Sequence, residues 1–274
     1  MSNRLLDALH SGRLLLMDGA MGTELQRLGQ SGAAADIHRA YAAAGAEVLL
    51  TNTFQTNPVA SGSSFAVMFR DAVRTARNAV GPNPILLADI GPIMAPGAIQ
   101  FPKPADVDPL AELAAECGCD GVLIETCSTM RVRHAMERAA RYELPILLSL
   151  CFRHAERDCV SFDGYPPGEF ASRAAEWGAC ALGVNCGRDI TVAECAAIVS
   201  RYREVCRLPL FARPNAGAPQ REGDRWVYPR TPELMAAELP ELLEAGATMI
   251  GGCCGTTPAH IAAFRPVIDR WNRR

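Results

Sequence analysis

The chain has 274 residues, 49% of them hydrophobic and 21% charged, with a formal net charge of -3. That length suits one large α/β domain or two small ones. The charge gives no basic footprint, so neither nucleic acid nor a membrane surface is an expected partner, and no segment approaches a membrane span. The opening MSNRLLDALHSGRLLLMDGAMG lacks the apolar core and cleavage site of a signal peptide, so a cytoplasmic protein is expected. Eleven cysteines, an odd number without a regular framework, then read as reduced thiols.

In chain order, eight short apolar runs predict strands: LLLMDGAMG (14–22), EVLLTNTF (47–54), ILLADIGP (85–92), GVLIETC (121–127), PILLSLCF (145–152), ALGVNCG (181–187), LPLFARPNAG (208–217) and MIGGCCGT (249–256). Continuous apolar runs of this length fit strands buried on both faces of a parallel sheet. Between them, apolar residues at three-to-four spacing predict helices over 36–46, 69–80, 109–119, 130–142, 168–179, 192–205 and 231–247. The stretches 60–65 and 215–231 read as loops on the side where strands lead into helices. Eight such alternations predict an α/β fold, a single (β/α)8 TIM barrel over 1–274, with a doubly wound open sheet as the competitor.

In a barrel the chemistry lies at the C-terminal strand ends. Reading that position off each run collects Asp18, Asn52, Thr53, Asp89, Glu125, Asn185, Cys186, Asn215, Cys253 and Cys254. Three readings stay open for the adjacent Cys253 and Cys254: buried inert thiols, a redox pair, or two metal ligands. Cys186 at a neighbouring strand end adds weight to the metal, and thiolates select zinc over magnesium or calcium. Gly251, Gly252 and Gly255 would let the chain leave the strand irregularly, so that both sulfurs turn inward. Asp18 and Glu125 read either as caps and salt bridges or as a carboxylate pair for an ammonium group. The DGAMGT turn (18–23) offers backbone N–H groups to a carboxylate. Cys117 and Cys119 read as packing at a helix end. Cys127 lies near the mouth, whereas Cys151, Cys159, Cys180, Cys195 and Cys206 show no partner at ligand spacing. His134 and His154 show none either, and His260 reads as packing. DIHRAY (36–41) imitates a cobalamin-binding Asp-x-His-x-x-Gly but ends in Tyr41 and reads as an amphipathic helix.

Seven motifs in order, DGAMGTELQ, TNTFQTN, IGP, DGVLIET, GVNCG, PNAG and GGCCGTTPAHI, carry a resemblance to the homocysteine S-methyltransferase family over nearly the whole chain. The last stretch is most similar to the homocysteine-binding zinc module of cobalamin-dependent methionine synthase. The resemblance implies a (β/α)8 barrel that uses Zn2+ to transfer a methyl group to the thiol of homocysteine, giving methionine. It implies Cys186, Cys253 and Cys254 as zinc ligands and Asn215 as an exchangeable fourth. Asp18 and Glu125 match the positions that hold the amino group, and Gly19, Thr53 and Asn185 complete the expected substrate-binding set. The alternatives are methylation of another small thiol or selenol, or a non-catalytic zinc-binding subunit of a methyl-transfer complex. The partners implied are homocysteine and a methyl donor, either a sulfonium or a methylcorrinoid on a separate protein. Thr126 stands where betaine-using relatives carry Tyr, and Gly255 where S-methylmethionine-using relatives often carry Arg. Thr129, often Asp in relatives, and the PVASGSSF stretch also depart from the family pattern.

Overall fold

The apolar runs form the parallel strands β1 (Leu15–Leu16), β2 (Val48–Leu50), β3 (Ile85–Ile90), β4 (Gly121–Cys127), β5 (Ile146–Leu150), β6 (Ala179–Asn185), β7 (Leu210–Arg213) and β8 (Ala247–Ile250). This is a computed structural model, and it describes residues 3–274 apart from 30–31, 96–97, 101–103, 157, 188 and 224. From β2 to β8 each strand pairs with the next, and β8 pairs with β1. A bridge between Met17 and Val48 closes the ring, with Asp18 N donating to Val48 O at 2.9 Å. A closed ring of eight parallel strands is the TIM-barrel architecture and not the open sheet.

Side-chain alternation sorts the strands into two cores. Leu15, Met17, Val48, Leu50, Ile85, Leu87, Leu123, Leu147, Ala181, Phe211 and Met249 fill the barrel. The residues between them, such as Leu16, Leu49, Leu86, Ile124, Leu148 and Leu182, pack outward against the helices. The Phe211 ring crosses the interior onto Gly183, where a Cβ would lie 2.3 Å from the ring. Burying each large side chain contributes roughly 1.5–3 kcal/mol.

The outer layer is α1 (Ala34–Ala43), α2 (Phe65–Val80), α3 (Pro104–Glu116), α4 (Val132–Ala139), α5 (Pro167–Ala174), α6 (Val192–Val205), α7 (Pro232–Glu244) and α8 (Pro258–Trp271). Thr191 and Glu194 form a reciprocal capping box that starts α6. Asn3 caps a further helix, Arg4–Leu9, by accepting from Leu5 N and Leu6 N. Leu5 and Leu9 of that helix join the interior cluster and plug the N-terminal end of the barrel. At Gly121 a Cβ would lie 2.8 Å from Pro145 O and 2.7 Å from the tip of Leu5, so the close approach of the backbone needs glycine there.

The expected loop over 60–65 is helical instead. Asn57 accepts from Val59 N and Ala60 N, Pro58 opens a short helix to Ser61, and a 3-10 turn (Gly62–Ser64) runs into α2. A capped proline start overrides the Ser/Gly composition there. Three hairpins were also outside the expectation: Ile93–Ala95 with Ala98–Gln100, Arg153–His154 with Cys159–Val160, and Gln220–Glu222 with Arg225–Val227. The last lies within 215–231. All three follow barrel strands on the C-terminal side, and pairs this short leave almost no alternation to read.

Candidate metal centre and carboxylate cluster

The inward-facing positions change character near the C-terminal strand ends. The parity that places Ile85 and Leu87 inside continues to Asp89. Leu123 is followed by Glu125, Leu147 by Ser149, Ala181 and Gly183 by Asn185, and Phe211 by Arg213. All five polar side chains are buried.

The sulfurs of Cys186, Cys253 and Cys254 lie within 4.8 Å of one another, and Cys186 and Cys254 are 3.9 Å apart. A tetrahedral metal with bonds of about 2.3 Å to sulfur holds two sulfurs about 3.8 Å apart. A disulfide would need about 2.05 Å, and all eleven cysteines are free. Asn215 is buried beside the group. Its Nδ2 donates to Gly187 O at 3.3 Å, but its Oδ1 has no partner. Three thiols and an unpartnered amide oxygen fit a thiophilic divalent metal with one exchangeable position. Hydrogen bonds from Cys253, then Cys254, pull the Cys186 thiol down to about 4 against its burial. The Cys253 thiol is pushed up to about 12, chiefly by that bond to Cys186. A metal held by the three sulfurs would displace their protons.

The local backbone explains how adjacent cysteines reach one point. β8 ends at Ile250, and the chain turns through Cys254 and Gly255. Cys253 N donates to Pro214 O at 2.9 Å, and Ala216 N donates to Cys254 O at 2.9 Å. The Thr256 hydroxyl donates to Cys253 O at 2.7 Å. Gly251 and Gly252 serve close approach and not an unusual φ. A Cβ at Gly252 would lie 2.3 Å from the Thr256 hydroxyl, and one at Gly251 would lie 2.7 Å from Asp18 O. Gly255 has φ +80, and a Cβ there would lie 2.0 Å from the ring of Tyr228. Tyr228 therefore excludes any larger residue at 255.

Cys186 (φ 55) and Thr126 (φ 59) both adopt the left-handed conformation. A β-branched residue there is strained by about 1–3 kcal/mol. Asn185, fully buried, holds the arrangement. It donates to the Thr126 hydroxyl at 2.8 Å and accepts from Thr126 N at 3.3 Å and from the Ser149 hydroxyl at 2.6 Å. Its amide also lies 3.8 Å from the Cys253 sulfur. Asn185 thus links the end of β4 to the thiol group.

Asp18 and Glu125 converge as the sequence suggested, but through a residue that the sequence reading missed. Arg213, 3% exposed, donates from Nη2 to Asp18 Oδ1 and from Nη1 to Glu125 Oε2, each at 3.3 Å, and from Nη2 to Gly19 O at 3.4 Å. Asp18 also accepts from Leu50 N at 2.8 Å. Burial pushes the Asp18 carboxyl up to about 7 against the pull of Arg213, and it does the same to Glu125. Asp89 is raised as well, mainly by burial and then by the charge of Glu125. Burial opposes the charge of Arg213, but Glu125 and Asp18 outweigh it and the guanidinium stays protonated. One signal for Arg213 was available. A charge at the end of an apolar strand is almost never buried unpaired.

Gly19 leaves room for Tyr41, whose hydroxyl lies 2.7 Å from where a Cβ would stand and donates to Ala20 O at 2.8 Å. The Thr53 hydroxyl donates to Asp89 O at 2.8 Å and meets the Thr51 hydroxyl at 2.6 Å, tying β2 to β3. Cys127 is buried apart from the thiol group, with its sulfur 3.7 Å from Glu125 O. His38 is fully buried within α1, closed to any ligand. His260 completes the α8 cap with Thr257, and its Nε2 lies 3.0 Å from Arg230 O. His154 and Cys159, which showed no partner in the sequence, face each other across their hairpin. His154 pairs with Glu194 at 3.1 Å, and its Nε2 lies 3.0 Å from Asp189 O.

Residues 15–268 match the homocysteine S-methyltransferase family. The chain is 30% identical to a methionine synthase of Mycobacterium tuberculosis and 28% identical to one of Mycobacterium leprae, over 94% and 95% of its own length. It spans about a quarter of the length of these curated relatives. Among solved structures it is similar to the homocysteine methyltransferase MmuM from Escherichia coli. The metallated form superposes with a TM-score of 0.74 at 25% identity, over 95% of this chain and 99% of that one. The oxidized form gives 0.76, also at 25% identity, over 97% and 100%. With the barrel, the three converging thiols and the matched span together, the chain belongs to the homocysteine S-methyltransferase family.

Proposed function

We propose that this chain transfers a methyl group to the thiol of homocysteine, giving methionine, with zinc as its metal. The observation that carries the reading is the meeting of three sulfurs from the ends of β6 and β8 beside the buried Asp18–Glu125 pair. Cys186, Cys253 and Cys254 would hold the zinc, and Asn215 Oδ1 would occupy the position that the acceptor sulfur takes over.

A free alkyl thiol with a pKa of about 8.5 is mostly protonated at neutral pH. Zinc held by three thiolates would keep the acceptor sulfur deprotonated while leaving it electron-rich enough to attack a methyl group. The protein supplies position. Asp18 and Glu125 present carboxylate oxygens to the acceptor's ammonium. Asn185 keeps the turn after Glu125 in register with the thiols, and the Thr256 clamp on Cys253 O fixes the direction of both adjacent sulfurs. The methyl group must come already activated, from a sulfonium or from a methylcorrinoid.

The test is metal analysis joined to a donor screen. The chain should hold about one zinc and release a proton on taking up homocysteine. It should form methionine with one of S-methylmethionine, S-adenosylmethionine, betaine or methylcobalamin. Zinc-loaded protein that takes up homocysteine without proton release would overturn the reading.

A further inference from the structure

A thiol-bearing amino acid has three groups to recognise, and the reading above uses two of them. The sulfur goes to the metal and the ammonium to the carboxylates. The α-carboxylate has so far only the backbone N–H groups of the turn at 18–23 to meet it, and no side chain.

Around the thiols and carboxylates, three buried polar atoms have no partner among the described residues: Asn215 Oδ1, Asp89 Oδ1 and Arg213 Nε. A buried polar atom left unpaired costs about 1–3 kcal/mol, a cost that a ligand or a metal reaching it would relieve. Two are acceptors. Asn215 Oδ1 suits the metal position and Asp89 Oδ1 suits an ammonium. The third is the sole donor of the set. It belongs to a guanidinium already held in place by Asp18, Glu125 and Gly19 O. Its remaining N–H is therefore fixed in direction before any ligand arrives, and guanidinium groups match carboxylates in geometry and charge. The charges agree. The ammonium would meet the carboxyl groups of Asp18 and Glu125. The carboxylate of the same zwitterion then meets a cation.

We propose that Arg213 is a specificity residue that recognises the acceptor's α-carboxylate, so that the site prefers a zwitterionic amino-acid thiol to a simple aminothiol. The proposal rests on the acceptor reading above and adds the group that discriminates.

The experiment is equilibrium binding to the metal-loaded full chain, comparing wild type with Arg213→Met and Arg213→Lys. The probes are homocysteine, 3-aminopropane-1-thiol, which lacks the carboxylate, and 4-mercaptobutanoate, which lacks the ammonium. Wild type should prefer homocysteine to 3-aminopropane-1-thiol by about 10–100-fold, the usual size of one charge-assisted hydrogen bond. Arg213→Met should bring that ratio close to one, and Arg213→Lys should keep part of it. A merely structural role would weaken all three probes alike. The assignment is overturned if the ratio in Arg213→Met equals that of wild type. It is also overturned if homocysteine binds more tightly to that variant, since Arg213 would then be a rival of the ammonium. Wild type that refuses homocysteine but takes 4-mercaptobutanoate in an Arg213-dependent way would refute the acceptor reading and leave the Arg213 assignment standing.

Discussion

The two ends of the barrel are built from the same strands and the same inward-facing parity, yet they solve opposite problems. At the N-terminal end the interior is Leu15, Ile85, Leu123 and Met249, stoppered by Leu5 and Leu9 of the opening helix. At the C-terminal end the same rows continue into Asp89, Glu125, Ser149, Asn185 and Arg213. The floor gains from every side chain that it removes from water. The mouth holds buried charges whose mutual pairing does not fully offset their desolvation, which is why the Asp18 and Glu125 carboxyls are pushed up to about 7. A strain-bearing, charge-rich end is tolerated because the apolar end supplies the stability.

The largest effect that would break this comparison is expected at the mouth. Cys254→Ser should drop bound metal from about one per chain to below a tenth, and methyl transfer by roughly 100-fold or more, with circular dichroism unchanged. Unfolding of the barrel in this variant would mean that the mouth carries stability after all.

The floor should respond in the opposite way. Leu5→Ala should lower the unfolding free energy by about 2–5 kcal/mol, read from denaturant melts, while metal content holds. Lost metal at full stability would refute the division of labour.

Acid sensitivity separates the mouth from the helix layer behind it. His38, on the same helix as Tyr41, has its pKa lowered from 6.5 to about 4 by burial. Between those values the unfolded chain binds a proton that the folded chain refuses. Stability therefore falls as pH drops through that window, by roughly 3 kcal/mol in all. His38→Leu should flatten that limb of a stability-against-pH curve, and an unchanged slope would move the acid sensitivity elsewhere.

The smallest effect should come from Asn215→Ala. It removes an exchangeable partner and spares the three sulfurs, so metal affinity in a chelator competition should weaken by about tenfold. A loss as large as that of Cys254→Ser would make Asn215 an obligatory ligand.

Much of this was legible in the chain. Eight apolar runs predicted eight strands, and reading one position beyond each run brought Asp18, Glu125, Cys186, Cys253 and Cys254 to one mouth. That works because pleat alternation and strand length are short-range properties, printed in consecutive residues. The family motifs cover those same strand ends. The glycines of GGCCG were correctly marked as special, but for the wrong reason at two of three positions. Close approach by Thr256 and Asp18 O cannot be seen in a local window.

What only the tertiary structure decided is of that second kind. Closure of the ring through Met17 and Val48, the plug from Arg4–Leu9, and Tyr228 over Gly255 each join distant segments. Arg213 meets Glu125 across 88 positions and Asp18 across 195. In the sequence it is one arginine between an apolar run and PNAG. Ion pairs, desolvation and unpartnered atoms are properties of a place in space. They become visible only when the strands that supply them stand side by side.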